Sequence, residues 1–188
     1  MEALIRNARP TDTAELLAIY APYVENTVIS FEYEVPTLAD YAGRVADVLA
    51  DYPWLVAEAG GTVAGFAYAS RHSARTAYQW SVDVSVYLHA QHHGKGLGKA
   101  LYTRLFTILR ELGHVNAYAG IALPNPASVG LHEAMGFTPV GVYHQVGYKF
   151  GAWHDVGWWQ LELQPRPADP APPQRFGTWA QDRADSMN

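Results

Sequence analysis

The chain has 188 residues, a formal net charge of −5, 49% hydrophobic and 16% charged residues, and no cysteine. That length suits one domain with its own core, and the absence of a basic run argues against a nucleic-acid partner. Without cysteine there is no disulfide framework, no thiolate metal site and no cysteine nucleophile. The first twenty residues carry Arg6, Arg9, Asp12 and Glu15 and lack the apolar stretch of a signal peptide. No apolar run approaches the ~20 residues that cross a bilayer. The expectation is a soluble, cytoplasmic protein with no membrane contact and no metal.

In chain order, residues 3–6 read as a short strand and 12–21 as a helix after Pro10, with Leu16, Leu17 and Tyr20 on one face. Residues 22–36 are aromatic and irregular and read as a loop. A second helix over 38–50 is capped by Thr37. Residues 54–59 and 62–70 form a hairpin about Gly60-Gly61, and 71–79 are polar loop. Residues 81–112 read as a strand, a glycine loop and a long helix ended by Gly113. A strand over 115–123 follows, then a short helix over 126–135 that Asn125 caps, Pro126 begins and Gly136 stops. Strands near 137–144 and 156–163 close the domain. Five of the twelve prolines fall in 165–173, so 164–188 reads as a Pro-rich tail without its own core, after a domain spanning 1–163. Strands alternate with helices, yet hairpins also occur. The fold class is therefore α/β, a mixed sheet flanked by helices.

Gly94, Gly96 and Gly98 sit where the strand gives way to the helix. Glycines let backbone approach a ligand, and the first N–H groups of a helix lack partners and carry partial positive charge. The layout suits a pyrophosphate. It is not a P-loop: His93 stands where the first glycine belongs and Ala100 replaces the Ser or Thr. Nor does the GxGxG spacing match the dinucleotide fingerprint GxGxxG.

The stretch HHGKGLGKALYTRL resembles the acyl-CoA loop of the GNAT acetyltransferases, Q/R-x-x-G-x-G/A, with His93 in place of the Gln or Arg. The stretches YPWLVAE (52–58), ARTAYQWSVDVSVYL (74–88), LPNPASVGLHEAMGF (123–137) and GYKFGAWHDVGWWQLEL (147–163) resemble the phosphinothricin N-acetyltransferase subfamily. The resemblance covers residues 3–163. It implies a largely antiparallel mixed sheet with a V-shaped opening for acetyl-CoA, and acetyl transfer by direct attack to a small amino acid such as phosphinothricin, methionine sulfoximine or methionine sulfone. The alternatives are another amine, such as a different amino acid or a protein N-terminus, or a non-catalytic acyl-CoA-binding module.

The resemblance also implies roles. His93, Gly94, Lys95, Gly96, Leu97, Gly98 and Lys99 would hold the pyrophosphate, with Lys95 and Lys99 either adding charge or simply solvating a helix start. The backbone of Val86, Tyr87 and Leu88 would pair with pantetheine like an added strand. Asp83 shares a strand face with Ser85 and Tyr87. It occupies the place of a glutamate proposed as general base, and it either takes up the amine proton, through water, or merely pairs with a cation. His132 matches the subfamily's proton donor to the leaving thiolate, and otherwise packs on a helix face. Asn125 would contact acetyl-CoA while capping its helix. Arg75 would grip a substrate carboxylate, Phe31 would lie near the amine, and Tyr78 would wall the pocket. Trp80 reads as core packing. His154 and Asp155 are adjacent on a strand and cannot form a dyad on one face. The stretch GAWHDVGWW reads as structural or interface sequence, which fits a homodimer.

Overall fold

A seven-stranded sheet organises residues 3–185, which the computed structural model describes. Its strands are β1 (Leu4–Asn7), β2 (Trp54–Ala59), β3 (Thr62–Arg71), β4 (Ser81–Leu88), β5 (Asn116–Leu123), β6 (Thr138–Lys149) and β7 (Ala152–Glu162), in the order β1-β2-β3-β4-β5-β7-β6. All neighbours are antiparallel except β4 and β5. The helices are α1 (Thr13–Asn26), α2 (Leu38–Asp51), α3 (Leu97–Glu111), α4 (Pro126–Ala134) and α5 (Phe176–Asp185).

Period-two alternation splits the core between the two sheet faces. Trp54, Val56 and Phe66 pack with Leu16 and Tyr20 of α1 and Tyr41 and Val45 of α2. Leu55, Ala57, Ala67, Ala69, Val82 and Val84 pack instead with Leu101, Leu105, Ile108 and Leu109 of α3. These four α3 side chains are fully buried, each stabilising by roughly 1.5–3 kcal/mol. The alanines opposite them let the helix lie close to the sheet.

Three segments depart from the sequence expectation. Residues 22–26 are not loop: α1 runs through Pro22 to Asn26 because Val24 continues the face of Leu16 and Tyr20 into the core. Strands β6 and β7 are also longer than expected and form one hairpin. Register shifts at Pro139/Gly141 and Tyr143/Gly147 interrupt the β6 pattern and hide its continuity. Beyond 163 the prolines lack regular structure, but α5 follows them. It seats Phe176 and Trp179, 3% and 8% exposed, in the core beneath α3. Through these two side chains α5 shares the main core.

Phe176→Ala should therefore destabilise the protein by about 3 kcal/mol in urea unfolding. An unchanged midpoint would mean that α5 is not docked in solution.

Candidate functional site

The site begins where two parallel strands part. β4 and β5 pair only at Ser81↔Asn116, Val82↔Ala117 and Asp83↔Tyr118. Beyond that point β4 follows β3 as far as Gly65↔Leu88, and β5 follows β7 as far as Leu123↔Asp155. The split opens three cavities that share walls. The outermost, about 420 Å³, runs from the glycine loop to Asn125 and Leu131. A narrow middle one reaches Tyr102 and His132 between Val86 and Ile121. The innermost, about 320 Å³, is lined by Asp83, Ser85, Phe31 and Trp158. Ile29 borders all three.

At the outer end Gly94 and Gly96 have φ of +71° and +78°, a region that costs a side-chain-bearing residue strain. A Cβ on either would meet nothing within 4 Å, so the loop faces open space. The N–H groups of residues 94–98 donate to no acceptor among the described residues. Lys95 and Lys99 are exposed beside them, and Gly98 is buried against Leu131. The cluster is therefore a ready anion cradle.

On β4, the His89 N–H bonds Ala64 O across to β3 at 2.9 Å. By strand alternation the backbone of Tyr87 faces β3 as well, whereas that of Val86 and Leu88 faces the split. The Leu88 carbonyl is already occupied: Tyr23 Oη donates to it at 2.7 Å and His93 Nε2 at 3.1 Å. The peptide groups of Val86 are left facing the split. The Tyr87 ring packs in the opposite core against Tyr20, Tyr23 and Phe66. His93 thus turns inward to a carbonyl and Tyr23.

Asp83 is half-buried, and its Oδ1 lies 2.6 Å from His72 Nδ1. Burial pushes its carboxyl above the ordinary value, and the hydrogen bond from His72 opposes that rise. The His72 ring stacks on Tyr118, centroids 4.4 Å apart, with Tyr78 6.0 Å away.

His132 is 3% exposed in the wall of the middle cavity. Its Nδ1 donates to Ser128 O at 2.8 Å, which leaves Nε2 to accept from Tyr102 Oη at 3.0 Å. Burial lowers its pKa, so the imidazole is neutral at physiological pH and both nitrogens are occupied. Asn125 caps α4, its Oδ1 accepting from Ser128 N at 3.1 Å, and borders the outer and middle cavities.

The substrate-end residues are only partly brought together. Phe31 lines the Asp83 cavity, and Tyr78 stands beside His72. Arg75 is exposed in a separate cleft with Asp51, Tyr52, His114 and Arg175. Trp80 bonds Ala171 O, tying down the segment beyond 163. His154 and Asp155 go to different partners, Lys149 O and the His144–Gln145 turn.

A family model described as "Acetyltransferase (GNAT) domain" matches residues 5–158. The chain belongs to the GNAT acetyltransferases. It is 42% identical over 168 residues to the phosphinothricin N-acetyltransferase of Streptomyces viridochromogenes, covering 89% of this chain and 91% of that one. It is 38% identical to the L-methionine sulfoximine/L-methionine sulfone acetyltransferase of Salmonella typhimurium, covering 89% and 98%. Among solved structures, a GNAT superfamily phosphinothricin acetyltransferase from Sinorhizobium meliloti in complex with AcCoA superposes with a TM-score of 0.86. It is 34% identical, covering 94% of this chain and 99% of that one.

Sequence reasoning about this GNAT domain missed Tyr23, His72, Tyr102 and Lys149. Tyr23 and His72 fall in stretches read as loop, and Tyr102 in an apolar helix pattern. Lys149 falls between the two stretches that the sequence reads as strands, yet it ends β6 and is 2% exposed. Its Nζ donates to Val24 O, Thr27 O and Ser30 O at 2.6, 2.9 and 2.7 Å. These carbonyls belong to the end of α1 and the loop that carries Ile29 and Phe31. The ammonium sits at the negative end of the helix and pins the loop over the split.

Lys149→Met should leave three buried carbonyls without a donor. We expect a stability loss of about 3 kcal/mol and faster hydrogen exchange at the amides of residues 27–31. Unchanged exchange there would show that the loop holds itself.

Proposed function

We propose that this GNAT enzyme transfers the acetyl group of acetyl-CoA to the α-amine of a small amino acid such as phosphinothricin, methionine sulfoximine or methionine sulfone. The carrying observation is the strand split, with an anion cradle at its outer end and a half-buried carboxylate at its inner end. The acceptors are those in the names of the relatives. Such substrates share an α-amine, an α-carboxylate and a polar side-chain end.

The residues present suit acetyl-CoA. The N–H groups of Gly94–Gly98 and the charges of Lys95 and Lys99 answer a pyrophosphate, with Leu97 and His93 closing the cradle. The exposed peptide groups of Val86, between Tyr87 and the sealed Leu88, answer the pantetheine amides, and Asn125 offers an amide from the opposite wall. When bound, acetyl-CoA supplies an acyl group activated as a thioester. Asp83 takes the proton of the acceptor ammonium, and the free amine attacks. An N–H of β4 stabilises the developing oxyanion. His132 is the group on the wall that can return a proton to the thiolate. It does so from its imidazolium form, the minor form at physiological pH because burial lowers its pKa, with Nε2–H then the donor on the Tyr102 side. Phe31 and Tyr78 wall the amine site; Arg75 stands in the separate cleft, and the resemblance of the 74–88 stretch alone supports it as partner of the substrate carboxylate, reached from that side.

Two assignments reach beyond the single chain. Val142, Tyr143, Val146 and Tyr148 of β6, Phe150 at the turn and Trp153 of β7 are exposed apolar side chains of the edge hairpin. We propose that it pairs with a second copy, a homodimer that sedimentation would detect. We place the enzyme in the cytoplasm, where acetyl-CoA is made. Acetylating phosphinothricin there would confer resistance to it.

A panel of amino acids with acetyl-CoA, followed by CoA release, tests the activity. Turnover is expected with phosphinothricin or methionine sulfone, and none with any amine refutes the reading. The rate should rise with pH as Asp83 ionises, through a range above that of an ordinary carboxylate, because burial raises its pKa. Asp83→Asn should lower kcat/KM by about 10²–10⁴-fold at all pH values. Arg75→Ala should raise KM for amino acids about tenfold or more and leave amines without a carboxylate unaffected. Equal effects on both would remove Arg75 from the site.

A further inference from the structure

The catalytic carboxylate is not alone. We propose that His72 is a positioning residue for acetyl transfer, donating its Nδ1–H to Asp83 Oδ1 so that Oδ2 alone receives the proton of the acceptor ammonium. This rests on the acetyltransferase reading above and adds to it a residue that the glycine loop and the motif matches do not contain.

Three features of the geometry carry it. The Nδ1···Oδ1 distance is 2.6 Å, short enough for a charge-assisted bond. The His72 ring is also clamped: it stacks on Tyr118 at 4.4 Å and 19°, and stands edge-on to Trp158 at 6.2 Å. Trp158 and Asp83 line the same innermost cavity, and His72 is not among the residues that line it. Finally, Oδ2 accepts no hydrogen bond from the described residues, although Oδ1 does.

The groups facing this pair are Tyr68 and Ser70 of β3, Tyr78 from the turn before β4, Tyr118 of β5 and Trp158 of β7. None of them is charged near neutrality. His72 is thus the group that offsets the cost of keeping a carboxylate ionised in a half-buried cavity. It also fixes a side chain that is one methylene shorter than a glutamate, so that one oxygen points at one place. The proton balance is simple. The ammonium gives one proton to Oδ2, and the amine lone pair forms the C–N bond as the C–S bond breaks; the second proton that the nitrogen loses on becoming an amide ends on the departing thiolate, which leaves as the thiol. Asp83 then loses its proton to solvent before the next cycle. His72 keeps its Nδ1 proton throughout.

Two variants test this, read by the carbon-13 titration of the Asp83 carboxyl and by the pH profile of kcat/KM. His72→Phe keeps the stack on Tyr118 and removes the donor. His72→Asn puts an amide N–H near the place of Nδ1. In His72→Phe we expect the Asp83 titration and the acid limb of the rate profile to move together to higher pH. kcat/KM below neutrality should fall about tenfold, the size of one charge-assisted hydrogen bond, and largely recover in alkali. His72→Asn should restore both. A His72→Phe enzyme whose Asp83 titrates as in the wild type overturns the proposal, and so does one whose titration moves while its rate profile stays. If the wild type acetylates no amine, the functional reading fails by itself. The carboxyl titration still decides whether His72 controls Asp83.

Discussion

The structure depends on a competition between strand pairings. β4 and β5 are parallel neighbours for three residue pairs, and then each follows its antiparallel partner on the other side. Antiparallel ladders hold β4 to β3 and β5 to β7 along their whole lengths, so the parting costs few hydrogen bonds. What it leaves is a stretch of β4 backbone, around Val86, with unanswered peptide groups inside a folded domain. Such an edge normally invites aggregation. Here it is sunk between two walls, accessible to a slender ligand and closed to another sheet. The chain seals the far end itself, spending Tyr23 and His93 on the Leu88 carbonyl.

Everything chemical is arranged along that split. The glycine loop continues β4 directly into α3, so the anion cradle and the free edge lie on one line. Asp83 stands at the last β4–β5 pair, the vertex of the V, where burial raises its proton affinity and His72 restrains the rise. Lys149 closes the arrangement from the other side. A buried ammonium held by three carbonyls ties β6 to the end of α1, and so holds Ile29 and Phe31 over the vertex. The ring of Phe31 passes so near Gly147 that a Cβ there would lie 2.2 Å from it, which ties the same hairpin to the same loop by shape.

Local features were legible wherever one residue type has one strong local meaning. Thr37 and Asn125 accept from the N–H groups three residues on, and Gly60, Gly61, Gly113 and Gly136 all adopt positive φ at turns or helix ends. The alternation that put Val82 and Val84 opposite Asp83 and Ser85 is the alternation observed. Signals that depend on a distant partner were not legible. Residues 22–26 read as loop until Val24 is seen in the core, and a proline-rich stretch hides α5 until Phe176 finds its place in the core. The partners of His132, Ser128 O and Tyr102 Oη, come together only in the fold.

The sequence by itself determined the class of chemistry. Three glycines between a strand and a helix suit an anion, the resemblance of the flanking stretches narrows that anion to an acyl-CoA, and direct attack suits a chain without cysteine. Only the tertiary structure decided which groups share that site. His72 and Asp83 are eleven residues apart, and Lys149 lies more than a hundred residues from the loop it holds. Their protonation and position are set by burial and by partners that the fold supplies, and neither can be read from the spacing of residues along the chain.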